Sequence, residues 1–143
     1  MTYCAQADLT ERLSSDGLLQ LTDDENTGAV NTDRVNRAIA SAQEEIDGYL
    51  RGRYTLPLSP VPALIQRLAV DIAVYRLHRR RNLLLKLEGL EELYRAAVST
   101  LGKLQSGDML LESATGIAQA PTSAQCNKTR RDRMFSKRRL EDY

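Results

Sequence analysis

The feature that most restricts the fold of this chain is the stretch from residue 46 to residue 62, which combines two glycines with three prolines. Each glycine lowers helix propensity by about 1 kcal/mol relative to alanine. Each proline lacks a backbone N–H and fixes φ, and the residue before it favours extended backbone. The residues concerned are Gly48, Gly52, Pro57, Pro60 and Pro62. We therefore expect one helix to end here, a proline-rich crossing to follow, and a second helix to begin.

The crossing is too apolar for a plain solvent loop. We expect its large side chains to fill the space between the two helices, with the aliphatic parts of two arginines lying over them. These are Tyr49, Tyr54, Leu56 and Leu58, with Arg51 and Arg53.

Apolar periodicity predicts a long helix on each side of the crossing and a third one after them. The first begins at Asn31 or Thr32, and its buried stripe is Val35, Ile39, Ala42, Ile46 and Tyr49. The second has Pro62 in its first turn and is apolar on more than one side, which predicts a central helix. The third spans about 83–106 and ends at Gly107.

Residues 3–21 predict two short helical pieces with a common buried leucine face. A polar break separates them, and Ser15 or Asp16 is placed to cap the second piece. The predicted fold is thus all-α: a small helical bundle of three longer helices plus short N-terminal helices.

Charge divides the chain into two parts. Residues 1–117 hold 13 Lys+Arg and 16 Asp+Glu, whereas residues 118–143 hold 7 and 3. We predict a helical domain over 1–117 and an extended, basic C-terminal docking arm over 118–143, because the second part lacks the apolar content for its own core. Its predicted contacts with a partner are Arg130, Arg131, Arg133, Phe135, Arg138, Arg139, Leu140 and Tyr143.

A second basic cluster closes the predicted central helix, with arginines at 76, 79, 80 and 81 and the only histidine, His78, among them. Positive charges stabilise a helix C-terminus, but this cluster has more basic residues than that effect accounts for. Arg76, Arg79, Arg80 and Arg81 are therefore predicted to be solvated or to contact a neighbouring subunit, with contact to a DNA backbone as the alternative.

The sequence contains no constellation that predicts an enzyme. Phosphate-binding glycine loops, GxSxG and HExxH motifs are absent, and Cys4 and Cys126 lie near opposite ends. The acidic run Asp23–Glu25 lacks the ligand alternation of an EF-hand. Asp71, within the central helix, is predicted to be exposed or paired with an arginine, with Arg67 and Tyr75 as neighbours at helical spacing, in preference to a chemical role. We expect no catalytic residue, cofactor or metal, and no membrane partner, since no apolar run approaches about 20 residues.

The crossing also carries a family resemblance. Ile46-Asp47-Gly48-Tyr49-Leu50, then Arg53-Tyr54 with Leu56-Pro57-Leu58, then Val61-Pro62, is similar to the Mu-like bacteriophage and prophage head-to-tail adaptors, or connectors. Further matches are Met1-Thr2-Tyr3, Asp8-Leu9, Gln20-Leu21-Thr22-Asp23, Asp71-Ile72-Ala73, Tyr75-Arg76-Leu77, Tyr94, Ala97 and Gly107.

The resemblance implies a structural virion protein at the neck, assembled in the host cytoplasm. It implies a ring of twelve copies beneath the portal protein that extends the DNA channel and offers an attachment surface to further neck or tail-completion proteins. Contact with packaged DNA would be transient and non-specific. The alternative is a small helical DNA-binding regulator that uses the cluster at 76–81. The net negative charge of the body disfavours that alternative.

Overall fold

The computed structural model describes residues 2–81 and 87–111, with the backbone alone at 87 and 88. These residues form five α-helices and no strand, which confirms the predicted all-α fold with two short and three longer helices. The helices are α1 (Gln6–Leu13), α2 (Ser15–Thr22), α3 (Thr32–Leu50), α4 (Ala63–Arg81) and α5 (Leu87–Ser106).

Helix α4 is the centre of the bundle, as its broad apolar surface predicts. It packs against α1, α2, α3 and α5. Ile65 and Ile72 are fully buried, and Leu68, Ala73 and Leu77 lie beside them in the core. Pro62 immediately precedes the helix, and its carbonyl oxygen accepts a hydrogen bond from the Gln66 N–H. A proline fits this position because backbone N–H groups at the start of a helix have no acceptor within the helix.

Helix α3 buries the predicted stripe: Val35, Ile39, Ala42 and Ile46 lie in the core, and Tyr49 is partly buried. Asn31 is its N-cap, and the side-chain oxygen accepts a hydrogen bond from the Arg34 N–H at 3.1 Å. The helix continues past Gly48 to Leu50 because packing of this face outweighs the low propensity of one glycine.

The crossing between α3 and α4 fills the interhelical space largely as predicted. Tyr54 and Leu58 are buried, and Leu56 is partly buried. The Leu56–Pro57 and Ser59–Pro60 peptide bonds are cis. Arg53 reaches α5, where its guanidinium donates to the Ser106 carbonyl oxygen at 3.0 Å. A cation thereby satisfies a carbonyl at a helix C-terminus.

The turn between α1 and α2 differs from the prediction by one residue. The N-cap of α2 is Ser14, whose Oγ accepts a hydrogen bond from the Gly17 N–H at 3.3 Å; it is neither Ser15 nor Asp16. Ser14 has φ 63°, which lets a single residue separate the two helices, so the helix begins earlier than the polar run suggests. Leu9, Leu18 and Leu21 form the predicted buried face.

Helix α5 ends as predicted at Gly107, which has φ +91° and donates its N–H to the Lys103 carbonyl oxygen. The chain then returns to the bundle: Leu111 is buried, and its N–H donates to the Tyr54 hydroxyl at 3.3 Å. The predicted start of this helix near 83 and the whole 118–143 arm lie outside the described residues. None of the described helices is long and apolar enough to cross a membrane.

Candidate partner-binding surface

The last turns of α4 lie beside the acidic loop that follows α2. Arg80 donates from Nη1 and Nη2 to the two carboxylate oxygens of Asp24, at 2.5 and 3.0 Å. Its Nη2 also donates to the Leu21 carbonyl oxygen. Such a two-pronged arginine–carboxylate contact fixes orientation as well as charge.

Two further guanidinium groups converge on the same carboxylate. Arg34 lies 3.3 Å and Arg81 also 3.3 Å from Asp24 oxygens. The hydrogen bond from Arg80, together with the positive charges around it, holds the pKa of Asp24 below its usual value. The same hydrogen bond raises the pKa of Arg80. Arg34 also pairs with Glu25, at 3.3 Å, so two carboxylates of the loop offset much of the charge of these three arginines.

Arg76 belongs to a separate polar network that joins α3, α4 and α5. Its guanidinium donates to the Ser41 hydroxyl and to Glu45, each at 2.6 Å, while its Nε is buried without a partner among the described residues. The Tyr94 hydroxyl donates to the other oxygen of Glu45 at 2.7 Å. This hydrogen bond and burial raise the pKa of Tyr94 to about 12. Tyr94 also stacks on Tyr75, with ring centroids 4.3 Å apart.

A shallow groove of about 310 Å³ runs between α3 and α4 at this end, and we call it the α3–α4 groove. Its apolar floor is formed by Ala38 and Leu77, and Ser41 adds a hydroxyl. Its rim is formed by Arg34, Arg37, Arg76 and Arg80. Arg37 is exposed and forms no ion pair within the part of the chain that the structure describes. The groove therefore offers apolar contact beneath a positive charge that no described carboxylate neutralises.

The predicted basic residues at 76–81 do come together on one end of the molecule. Three of them, Arg76, Arg80 and Arg81, form ion pairs with carboxylates of the same chain, while Arg79 is exposed without one among the described residues. Contact with a subunit or with DNA stays a prediction for this cluster. The eight predicted contacts in the C-terminal arm lie outside the described residues.

Sequence reasoning missed the groups that position this surface, namely Asp24, Glu45, Arg34 and Arg37. The one available indication was the opposite charge of the run 23–25 and the cluster 76–81. The Asp23 carboxylate accepts hydrogen bonds from the Thr27 and Gly28 N–H groups, and its carbonyl oxygen accepts one from Arg81. No group of three or more potential ligands for a metal occurs within residues 2–81 and 87–111.

Asp71 lies in a second, more open depression between α1 and the start of α4. It pairs with an arginine, as predicted, but the ion-pair partner is Arg12 of α1, at 3.5 Å, and not Arg67 at helical spacing. The pKa of Asp71 is raised by burial, an effect opposed by the charges of Arg12 and Arg67. His78 is buried, and its Nδ1 donates to the Val74 carbonyl oxygen at 2.9 Å.

Comparison with known proteins decides the family. The family model described as "Bacteriophage Mu, Gp36" matches residues 3–129. This chain belongs to that family. Gene product J of Escherichia phage Mu is 31% identical over 121 residues, which cover 82% of this chain and 83% of that protein. Mu-like prophage FluMu protein gp36 of Haemophilus influenzae is 46% identical over 48 residues, and the chain spans only 34% of its length.

The Gp36 match confirms the resemblance to Mu-like phage and prophage proteins. It covers the described helices and continues into the basic segment, to residue 129. Neither the family description nor the names of the two relatives includes an enzymatic activity. The names specify no position in the phage particle.

Proposed function

We propose that this Gp36-family protein is a structural component of the phage neck, a head-to-tail adaptor. Copies of the chain form a ring, expected to be twelve-fold, beneath the portal protein. The ring extends the DNA channel and presents an attachment surface to neck or tail-completion proteins.

The observation that carries this proposal is the contrast between the two parts of the chain. Residues 1–117 have a net charge of −3, and their described part packs around a single core, with α4 at its centre. Residues 118–143 have a net charge of +4 and carry Phe135 and Tyr143 among arginines. Aromatic and arginine side chains are the residue types that dominate protein interfaces. A compact acidic body with a basic, aromatic arm suits a protein that docks on a larger assembly.

The acidic body also suits a channel for DNA. A surface of net negative charge repels the phosphate backbone, so packaged DNA passes without strong binding. The ion pairs within the arginine cluster act in the same direction, because Asp24 and Glu45 neutralise much of its charge. These pairs weaken the alternative of a DNA-binding regulator that uses the cluster at 76–81.

The test is co-sedimentation with the portal protein encoded by the same phage or prophage. We expect the full chain to sediment with the portal and a chain ending at Ile117 to lose binding while keeping its helical circular dichroism. Binding of the shortened chain would contradict the role of the arm. Failure of both chains, with salt-sensitive binding of the full chain to duplex DNA, would favour the regulator instead.

A further inference from the structure

The residues that follow α5 hold two large apolar side chains out into solvent. Met109 is 36% and Leu110 is 55% exposed. The backbone on both sides is anchored, because the N–H groups of Gly107 and Met109 donate to the Lys103 carbonyl oxygen and Leu111 is buried against Tyr54. Asp108 precedes the pair and is itself exposed. We call Asp108–Leu110 the apolar knob.

Within the described residues, Met109 and Leu110 are the one pair of neighbouring large apolar residues that are both exposed. Besides the knob, only Leu93 is a large exposed apolar residue within the described part of the chain. Because the backbone is already fixed, covering these side chains costs little backbone entropy, which favours binding to a partner.

The α3–α4 groove has the complementary properties. Ala38 and Leu77 supply an apolar floor, and Arg37 supplies a positive charge on the rim that no carboxylate among the described residues pairs with. Its volume of about 310 Å³ lies at the small end of the range for ligand pockets, about 300–1,000 Å³, and so suits one or two side chains. An apolar pair preceded by a carboxylate matches both the floor and the rim.

The knob and the groove lie at opposite ends of α3. The groove is bounded by the first half of that helix, from Arg34 to Ser41. The knob lies beside Tyr54, just beyond the last residue, Leu50. At 1.5 Å per residue, Ala38 and Leu50 are about 18 Å apart along the helix axis. Two complementary surfaces at different places on one protomer produce a head-to-tail contact, which closes into a ring when the rotation permits.

We propose that the apolar knob of one copy docks in the α3–α4 groove of a second copy. Met109 and Leu110 cover the apolar floor, and the Asp108 carboxylate faces Arg37. This inference rests on the proposed adaptor function in one respect: repetition of the contact from copy to copy would form the proposed ring. The inference concerns the copy-to-copy surface, which can be measured without the portal.

A second copy fits the groove better than duplex DNA does. A phosphate backbone needs free cations, whereas Asp24 and Glu45 already neutralise Arg80 and Arg76 and would repel phosphates. The apolar floor contributes nothing to a phosphate contact, but it gains from burial against methionine and leucine side chains.

Disulfide cross-linking of full-length chains tests the contact directly. Ser41 lines the groove and lies one turn after Arg37, while Met109 belongs to the knob. Ser41→Cys in one chain and Met109→Cys in another, each with Cys126→Ser, are mixed and oxidised with copper phenanthroline. The remaining Cys4 is buried, which raises its pKa to about 11 and keeps it unreactive.

The matched control replaces Ser41→Cys by Ala96→Cys, at an exposed alanine on α5. We expect the Ser41–Met109 mixture to cross-link at least about tenfold faster than this control, because docking holds the two thiols at a high effective concentration. Arg37→Glu in the groove chain should slow the reaction, and Asp108→Arg in the knob chain should restore it.

Three outcomes would overturn the proposal. The first is a rate equal to that of the control pair. The second is an equally fast reaction of Met109→Cys alone, which would indicate a symmetric contact. The third is the lack of any compensation by Asp108→Arg. Cross-linking without portal co-sedimentation would support the copy-to-copy contact and contradict the adaptor role. Portal co-sedimentation without cross-linking would support the adaptor role and contradict the copy-to-copy contact.

Discussion

Tyr3→Phe is the substitution whose effect follows most directly from the geometry. Tyr3 is 2% exposed, and its hydroxyl joins three distant parts of the chain. It donates to the Asp47 carboxylate near the end of α3 at 2.5 Å, and it accepts a hydrogen bond from the Leu58 N–H of the crossing at 3.4 Å. The substitution removes one oxygen atom and leaves the ring in place, so both hydrogen bonds are lost without a large cavity.

The size of the effect follows from those two bonds. A hydrogen bond to a charged group contributes about 1.5–3 kcal/mol, and a buried N–H left without a partner costs about 1–3 kcal/mol. The hydrogen bond from Leu58 is long, so its loss should cost an energy near the lower end of that range. Asp47 is half-buried, so water can replace part of its lost hydrogen bond. We expect the free energy of unfolding to fall by about 2–4 kcal/mol.

Urea unfolding at pH 7, followed by far-ultraviolet circular dichroism, measures this difference. Tyr49→Phe is the matched control, since the Tyr49 hydroxyl has no hydrogen-bond partner among the described residues. The free energy of unfolding of the Tyr49→Phe control should lie within about 0.5 kcal/mol of that of the original chain. If Tyr3→Phe is equally neutral, the reasoning from buried hydrogen bonds is refuted.

The pH dependence gives an independent check of the same contact. Burial and the hydrogen bond to Asp47 raise the pKa of Tyr3 from 10.0 to about 12. Because the folded-state pKa is the higher one, the stabilisation is complete below pH 10.0 and is lost as the pH rises through about 12. The difference in free energy of unfolding between the original chain and Tyr3→Phe should therefore decrease between pH 10.0 and about 12. A difference that stays constant over this range would contradict the stabilising hydrogen bond from Tyr3 to Asp47.

Three further substitutions test the core, the end of α5 and the arginine cluster. Ile72→Ala, at a fully buried site of α4, should lower the free energy of unfolding by about 2–5 kcal/mol in urea; a loss below 1 kcal/mol would contradict the central position of that helix. Gly107→Ala should lower the free energy of unfolding by about 1–2 kcal/mol in the same assay, because φ is +91° and the new Cβ would displace the Arg53 guanidinium from the Ser106 carbonyl oxygen; an unchanged stability would contradict the need for glycine at this position. Asp24→Asn should lower the melting temperature in low salt, and the difference should shrink in high salt; a salt-independent difference would contradict the ionic account.

The sequence predicted those parts of the fold that depend on neighbours along the chain. The stripe from Val35 to Ile46, the Asn31 cap and the Gly107 terminus each rest on residues within a few positions of one another. Helical period and capping chemistry describe such local relations directly.

The parts that were not predicted depend on pairs far apart in sequence. Arg80 meets Asp24 across 56 positions, and Tyr3 meets Asp47 across 44. The partner of Asp71 is Arg12 of α1, not a residue at helical spacing, because α1 packs across α4 there. Such pairings are fixed by how the helices dock, which periodicity alone does not specify.

The central claim is that copies of this chain form a ring on the portal, and the mass of the portal-bound complex tests it most directly. The portal protein is incubated with an excess of the full chain, purified by sedimentation, and weighed by native mass spectrometry. The account predicts one bound copy per portal subunit, each of 16.0 kDa, with few partially filled rings, because neighbouring copies contact one another. A portal that retains no copies, or that fills at random to a lower average number, would contradict it.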